Sequence, residues 1–126
     1  MNILLIDDSS AQQKISKFYL EHVYGHKVSI AAGGMEGIDM AVSAPPDLII
    51  LDTCMPDISG KDTLRVLKKI KHMRNIPVIM AGTEKDGPIK DQLMAMGAAD
   101  FILKHQNVDI LNGKISAQME MCSQTA

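Results

Sequence analysis

Short runs of consecutive aliphatic residues recur along the chain, each ending in a polar cluster and followed by a segment in which apolar residues return every three or four positions. The first run, Asn2 to Ile6, stops at Asp7-Asp8-Ser9-Ser10, where Ser10 and Gln13 have the spacing of a helix-capping box. Ala11, Ile15, Phe18, Tyr19 and Val23 then fall at helical intervals up to Gly25, which predicts a helix with that stripe buried. A second strand, Lys27 to Ala31, leads through Gly33-Gly34 to a stripe of Met35, Ile38, Ala41 and Val42, ended by Pro45-Pro46.

The third run, Leu48-Ile49-Ile50-Leu51-Asp52, is apolar at every position but the last, as expected of a strand buried on both faces. Pro56 keeps Thr53 to Asp57 from continuing a central strand. Ser59 then caps a helix that turns Leu64, Leu67 and Ile70 inward and Lys61, Lys68, Lys69 and Lys71 mostly outward. Val78 to Ala81 is the fourth strand, the stretch from Gly82 to Gly87 a loop, and Pro88 opens a helix with Ile89, Leu93 and Met96 inside. Phe101-Ile102-Leu103 is the fifth strand, ending at Lys104. Asn107 caps a last helix with Leu111, Ile115, Met119 and Cys122 on one side.

Five strands alternating with five helices predict an α/β, doubly wound (βα)5 domain over residues 1–126, a parallel sheet with helices on both faces. The alternation has no fixed repeat length and no linker. At 126 residues, with 46% hydrophobic and 22% charged, the chain has the size and composition of one globular domain. A net charge of −2 without a basic run points away from nucleic acid, so the expected partner is a protein. The apolar runs are strand-sized and no leader pattern precedes them, so neither membrane association nor export is expected, and the expected location is the cytoplasm.

In open α/β sheets ligands bind outside the carboxyl ends of the strands. That edge collects Asp7-Asp8 from strand one, Asp52 from strand three, Gly82-Thr83 from strand four and Lys104 from strand five. Asp52 alone could be a nucleophile, a metal ligand or a turn residue. Three carboxylates in one crevice repel one another without a cation, and hard oxygen ligands suit Mg²⁺. Lys104 adds a positive charge for a phosphate or for Asp52.

In this order the residues resemble the receiver domain of two-component response regulators, of the single-domain type similar to the chemotaxis regulator. The resemblance runs from Asn2 to about Met121 and rests on the paired acids, on Leu51-Asp-x-x-Met-Pro-Asp-x-x-Gly60, on Pro77-Val78-Ile79-Met80, on Gly97-Ala98 and on Lys104. It implies a flavodoxin-like sheet of strand order 2-1-3-4-5 and a chain with no output domain. Asp52 matches the aspartate that takes a phosphoryl group from a histidine kinase or phosphotransfer protein. Asp8 matches the direct Mg²⁺ ligand and Asp7 the one acting largely through water, with the Cys54 backbone carbonyl completing the set and Lys104 contacting the phosphoryl group. A stand-alone phosphoacceptor, not an enzyme in its own right, would pass its signal to a target protein on the face of helix four, strand five and helix five.

Two positions depart from the family pattern. Gly82 stands where the family has Thr or Ser, with Thr83 one residue later as a displaced phosphoryl contact, so an added hydroxyl in Gly82→Thr is expected to strengthen the switch. Lys104 is followed by His105 in place of proline, so no cis bond is expected there, since outside proline it costs about 3 kcal/mol. Phe101 matches the switch aromatic, without a tyrosine hydroxyl. The alternatives are a degenerate receiver acting as a phosphorylation-independent or weakly coupled binding module, and an aspartyl-phosphate phosphohydrolase, which would want an acid where Cys54 stands.

Overall fold

The computed structural model describes residues 1–104 and 107–125, with side chains through Met121. Its elements are β1 (Asn2–Ile6), α1 (Ser10–His22), β2 (Lys27–Ala31), α2 (Gly34–Ser43), β3 (Leu48–Asp52), α3 (Gly60–Lys69), β4 (Val78–Gly82), α4 (Gly87–Ala95), β5 (Asp100–Leu103) and α5 (Val108–Thr125), with short 3₁₀ turns at Lys71–Met73 and Glu84–Asp86. The strands are parallel in the order β2-β1-β3-β4-β5. Every residue of β3 is buried, as its unbroken apolar run requires of the middle strand.

Alternate side chains of the sheet feed two cores, because successive strand residues point to opposite faces. Leu4, Ile6, Ile49, Leu51, Val78, Met80 and Phe101 pack with Ala41 of α2, Leu64 and Leu67 of α3 and Leu93 of α4. Ile3, Leu5, Leu48, Ile50, Ile79 and Ile102 pack with Leu20 of α1 and with Leu111 and Ile115 of α5. The helix ends follow their caps: Ser59 accepts from the Asp62 amide at 3.1 Å, and the carboxamide oxygen of Asn107 accepts from the Asp109 amide at 2.7 Å. Gly25 and Gly97 take φ of 75° and 110°, the left-handed conformation that lets a helix end and the chain turn toward the next strand.

Helix α1 departs from the expectation twice. Its cap is Ser9 and not Ser10, with the Ser9 hydroxyl accepting from the Gln12 amide. Its buried residues are Ser16 and Leu20, whereas Ile15, Phe18, Tyr19 and Val23 are exposed. The rotation has a cause at the helix start. The Gln13 side-chain amide donates to the Asp7 carbonyl and Gln12 Nε2 lies 3.5 Å from the Lys104 carbonyl, which turns the Gln12-Ser16-Leu20 row onto the sheet. The displaced apolar row of Ile15, Tyr19 and Val23 lines a groove of about 420 Å³ between α1 and α5, above Leu5, Ile102 and Leu111.

In α2, Met35 and Val42 are likewise exposed, and Gly34, Gly37 and Ala41 make the close contact instead. In α5, Leu111 and Ile115 are buried, Met119 is exposed, and the Cys122 side chain lies outside the described residues. The His105 peptide also lies outside them; among the described residues no peptide bond is cis. No helix of the described residues is long and apolar enough to cross a membrane.

Candidate functional site

The parallel register brings four strand ends to one edge. Ile6 pairs with Leu51, Asp52 with Ala81 and Gly82 with Leu103, so Asp7, Asp52, Gly82 and Lys104 follow one another across the sheet. Asp7 and Asp52 are 3% and 2% exposed, while Asp8, one residue on, faces solvent. These three acids each offer a carboxylate oxygen within 4.8 Å of the others. All three acids named from the sequence are therefore together, and Lys104 is with them.

Each acid is held at a defined angle. Asp7 Oδ1 accepts from the Ser9 amide at 2.8 Å. Asp52 Oδ1 accepts from the Cys54 amide at 3.2 Å and its Oδ2 from Lys104 Nζ at 2.9 Å. Lys104 Nζ also stands 3.7 Å from Asp7 Oδ1. Burial pushes the Asp52 carboxyl up to about 6, against the lowering effect of the Lys104 and Cys54 hydrogen bonds and with a further upward push from the Asp7 charge. Burial works against the Lys104 ammonium, but its hydrogen bond to Asp52 and the charges of Asp52, Asp7 and Asp8 outweigh that and hold its pKa above the usual lysine value.

The loop after Asp52 is fixed from behind by Gly60. A Cβ there would sit 2.2 Å from the Asp52 carbonyl oxygen and 2.6 Å from Thr53 Cα, and the Gly60 amide donates to the Thr53 carbonyl at 2.9 Å. Only a residue without a side chain lets α3 start against the backbone of the acidic strand end. Asp57 of the same loop accepts from the amides of Gly34 at 3.1 Å and Met35 at 2.8 Å, capping α2, whose own cap residue Gly33 has no side chain. Those hydrogen bonds, Met35's first, hold the Asp57 carboxyl below its ordinary pKa. Asp57 thus has a structural role that the sequence reading did not give it, although the bare Gly33-Gly34 helix start was a signal that a remote cap is needed.

The end of β4 differs from expectation. Gly82 is the last residue of β4, one residue beyond the expected Val78 to Ala81 strand, and the space beside it is full. A Cβ on Gly82 would lie 2.5 Å from Asp86 Oδ2, 2.9 Å from Phe101 Cζ and 3.1 Å from Thr53 Cγ2. An added threonine hydroxyl therefore meets Asp86 before anything else. Asp86 Oδ2 accepts both from Thr53 Oγ1 at 2.8 Å and from the Thr83 amide at 2.9 Å. The Thr83 residue itself is exposed, and Phe101 is buried with Lys90 Nζ 5.9 Å from its ring centroid. Asp86 and Thr53 went unnoticed in the sequence because an acid in a loop after a strand is ordinary.

The arrangement agrees with the comparisons to known proteins. The model of the response regulator receiver domain matches residues 3–116. Among relatives, a probable C4-dicarboxylate response regulator, DctR, of Bacillus subtilis is 36% identical over 103 residues, 81% of this chain and 45% of the relative. A protein-glutamate methylesterase/protein-glutamine glutaminase of the same organism is 37% identical over 107 residues, 82% of this chain and 29% of the relative. The chain spans less than half the length of these two relatives. The crystal structure of a receiver domain protein from Clostridium thermocellum superposes with a TM-score of 0.88 at 28% identity, over 99% of this chain and 98% of that one. The chemotaxis response regulator CheY4 of Vibrio cholerae gives a TM-score of 0.86 at 26% identity, over 93% of this chain and 97% of that one. With the family model reaching from β1 to the middle of α5, and the acids and lysine of its strand ends in one cluster, the chain belongs to the response regulator receiver domain family of two-component signalling.

Proposed function

We propose that Asp52 accepts a phosphoryl group from a phosphohistidine on a histidine kinase or phosphotransfer protein. The observation that carries this reading is the Asp52 carboxylate, buried at the end of the central strand and held between Lys104 Nζ at 2.9 Å and the Cys54 amide at 3.2 Å. One Asp52 oxygen attacks phosphorus. The new P–O bond forms as the P–N bond breaks, and the imidazole leaves with the bonding pair. Lys104 stays beside the added charge and offsets part of it.

The donor set fits a hard dication: three carboxylates within 4.8 Å, two of them buried, with one lysine among them. Asp7, Asp8, Asp52 and the Cys54 carbonyl would hold Mg²⁺. When bound, the ion supplies positive charge against the phosphoryl oxygens. The remaining work belongs to the protein: Gly60 and the Ser9 and Cys54 amides fix the carboxylates before the donor arrives.

The chain then acts as a phosphoacceptor whose signal passes to a separate target protein on the face of α4, β5 and α5, in the cytoplasm. Cys54 in place of an acid disfavours hydrolysis of phosphate esters as the main role. The weakly coupled alternative is favoured by Gly82 alone, and the retained Asp7, Asp8, Asp52 and Lys104 weigh against it. Incubation with Mg²⁺ and a small acyl-phosphate donor tests the reading. A mass gain of one phosphoryl group in the native chain, absent in Asp52→Asn, is the expected result; no gain in the native chain overturns it.

A further inference from the structure

We propose that Asp86 is the group that reports phosphorylation in this chain, acting as a latch between the acidic strand end and the start of α4; the proposal rests on Asp52 being the phosphoacceptor. Position 82 has no side chain to move, and the volume such a side chain would use is taken by the Asp86 carboxylate and the tip of Phe101. The same carboxylate oxygen ties Thr53, the residue after Asp52, to Thr83, the residue after β4. Asp86 also ends the 3₁₀ turn Glu84–Asp86, which runs directly into α4 at Gly87. One oxygen thus joins three segments: the β3 end, the β4 end and the entry to α4.

Phosphorylation changes the charge at one end of this latch. A phosphoryl group on Asp52 adds negative charge one residue from Thr53, where Lys104 is already shared with Asp7. Like charges repel strongly when partly withdrawn from water. The Asp86 carboxylate is therefore driven off, freeing the Thr53 hydroxyl and the Thr83 amide. The 3₁₀ turn and the first turn of α4 loosen with it. Phe101 stays inward, because it is buried with its ring tip against Gly82, which has no side chain whose movement would vacate or fill its place. The reporting element is then the turn and α4, with no rotating aromatic.

Hydrogen exchange followed by mass spectrometry on the whole chain, with Mg²⁺ and with or without the acyl-phosphate donor, tests this. In the native chain, amides of residues 83–91 should exchange at least several-fold faster after phosphorylation. Asp86→Ala should show that fast exchange before any donor is added, with the phosphoryl mass gain intact. Asp86→Asn retains an oxygen acceptor without the charge, so it should keep the slow basal exchange and lose the response to phosphorylation. Unchanged or slower exchange in the phosphorylated native chain overturns the proposal, as does native-like basal exchange in Asp86→Ala or a native-like response in Asp86→Asn. Absence of the mass gain itself would instead overturn the phosphoacceptor reading and the release step with it, while the Asp86→Ala comparison without donor would still decide whether the latch exists.

Discussion

The ends of β3 and β4 lie side by side, with Asp52 paired to Ala81, yet they are built on opposite plans. At the β3 end the backbone itself sets the geometry: Gly60 lies against the Asp52 carbonyl, and the acid is held by a main-chain amide and a lysine. At the β4 end side chains do so, with Asp86, Phe101 and Thr53 filling the space over Gly82. Backbone cannot yield without moving two elements, whereas a side-chain tip can swing into solvent. On the proposed reading, the chemistry sits on the rigid end and the readout on the yielding one.

The largest test of that contrast is Asp52→Asn, which should remove the phosphoryl mass gain entirely while leaving the β4 end as it is. Next comes a pair of identical changes. Gly60→Ala places a methyl 2.2 Å from a carbonyl oxygen and should cost about 3 kcal/mol in urea unfolding, whereas Gly82→Ala meets only side-chain tips and should cost about 1 kcal/mol. Equal costs would break the comparison.

A smaller effect concerns pH. The Asp52 carboxyl titrates near 6 in the folded chain, above its ordinary value of 3.8. The folded state therefore binds a proton that the unfolded state has released, and stability without metal falls as pH rises from about 4 to about 6. Asp52→Asn should be more stable than the native chain at pH 8, by about 2 kcal/mol, and the gap should close at pH 4 in metal-free thermal melts. A gap that persists at pH 4 would trace the gain to packing. Mg²⁺ at about ten times its Kd should stabilise the native chain by about 1.4 kcal/mol at pH 8, and Asp8→Asn by much less at the same concentration.

The strands were legible because a buried parallel strand leaves an unbroken apolar run, as Leu48 to Leu51 does. The acids and Lys104 were legible because each follows such a run. Helix α1 was misread for the converse reason: periodicity says which residues share a face, not which face meets the sheet. The choice was made by Gln12 and Gln13, polar residues bonded to strand-end carbonyls, so Ile15, Phe18, Tyr19 and Val23 turn outward. Asp86 was illegible because its meaning depends on Thr53, thirty-three positions away, and on a glycine that makes room. Lys104 was read as a charge for a phosphate or for Asp52, and it stands 2.9 Å from the buried Asp52 carboxylate. Lys104→Ala should raise the Asp52 pKa further and be most destabilising above pH 6.

The position of Lys104 in the chain also sets an order of events during synthesis. Ribosomes deliver about 5 to 20 residues per second, N-terminus first. The acids of β1 and β3 therefore emerge seconds before the lysine, which reaches them only when β5 pairs with the edge of β4. Until that last strand docks, the nascent chain carries clustered carboxylates without their ammonium partner. The mutual repulsion of those acids opposes early closure of the edge, so the acidic site is completed among the last parts of the domain, together with the strand that closes the sheet.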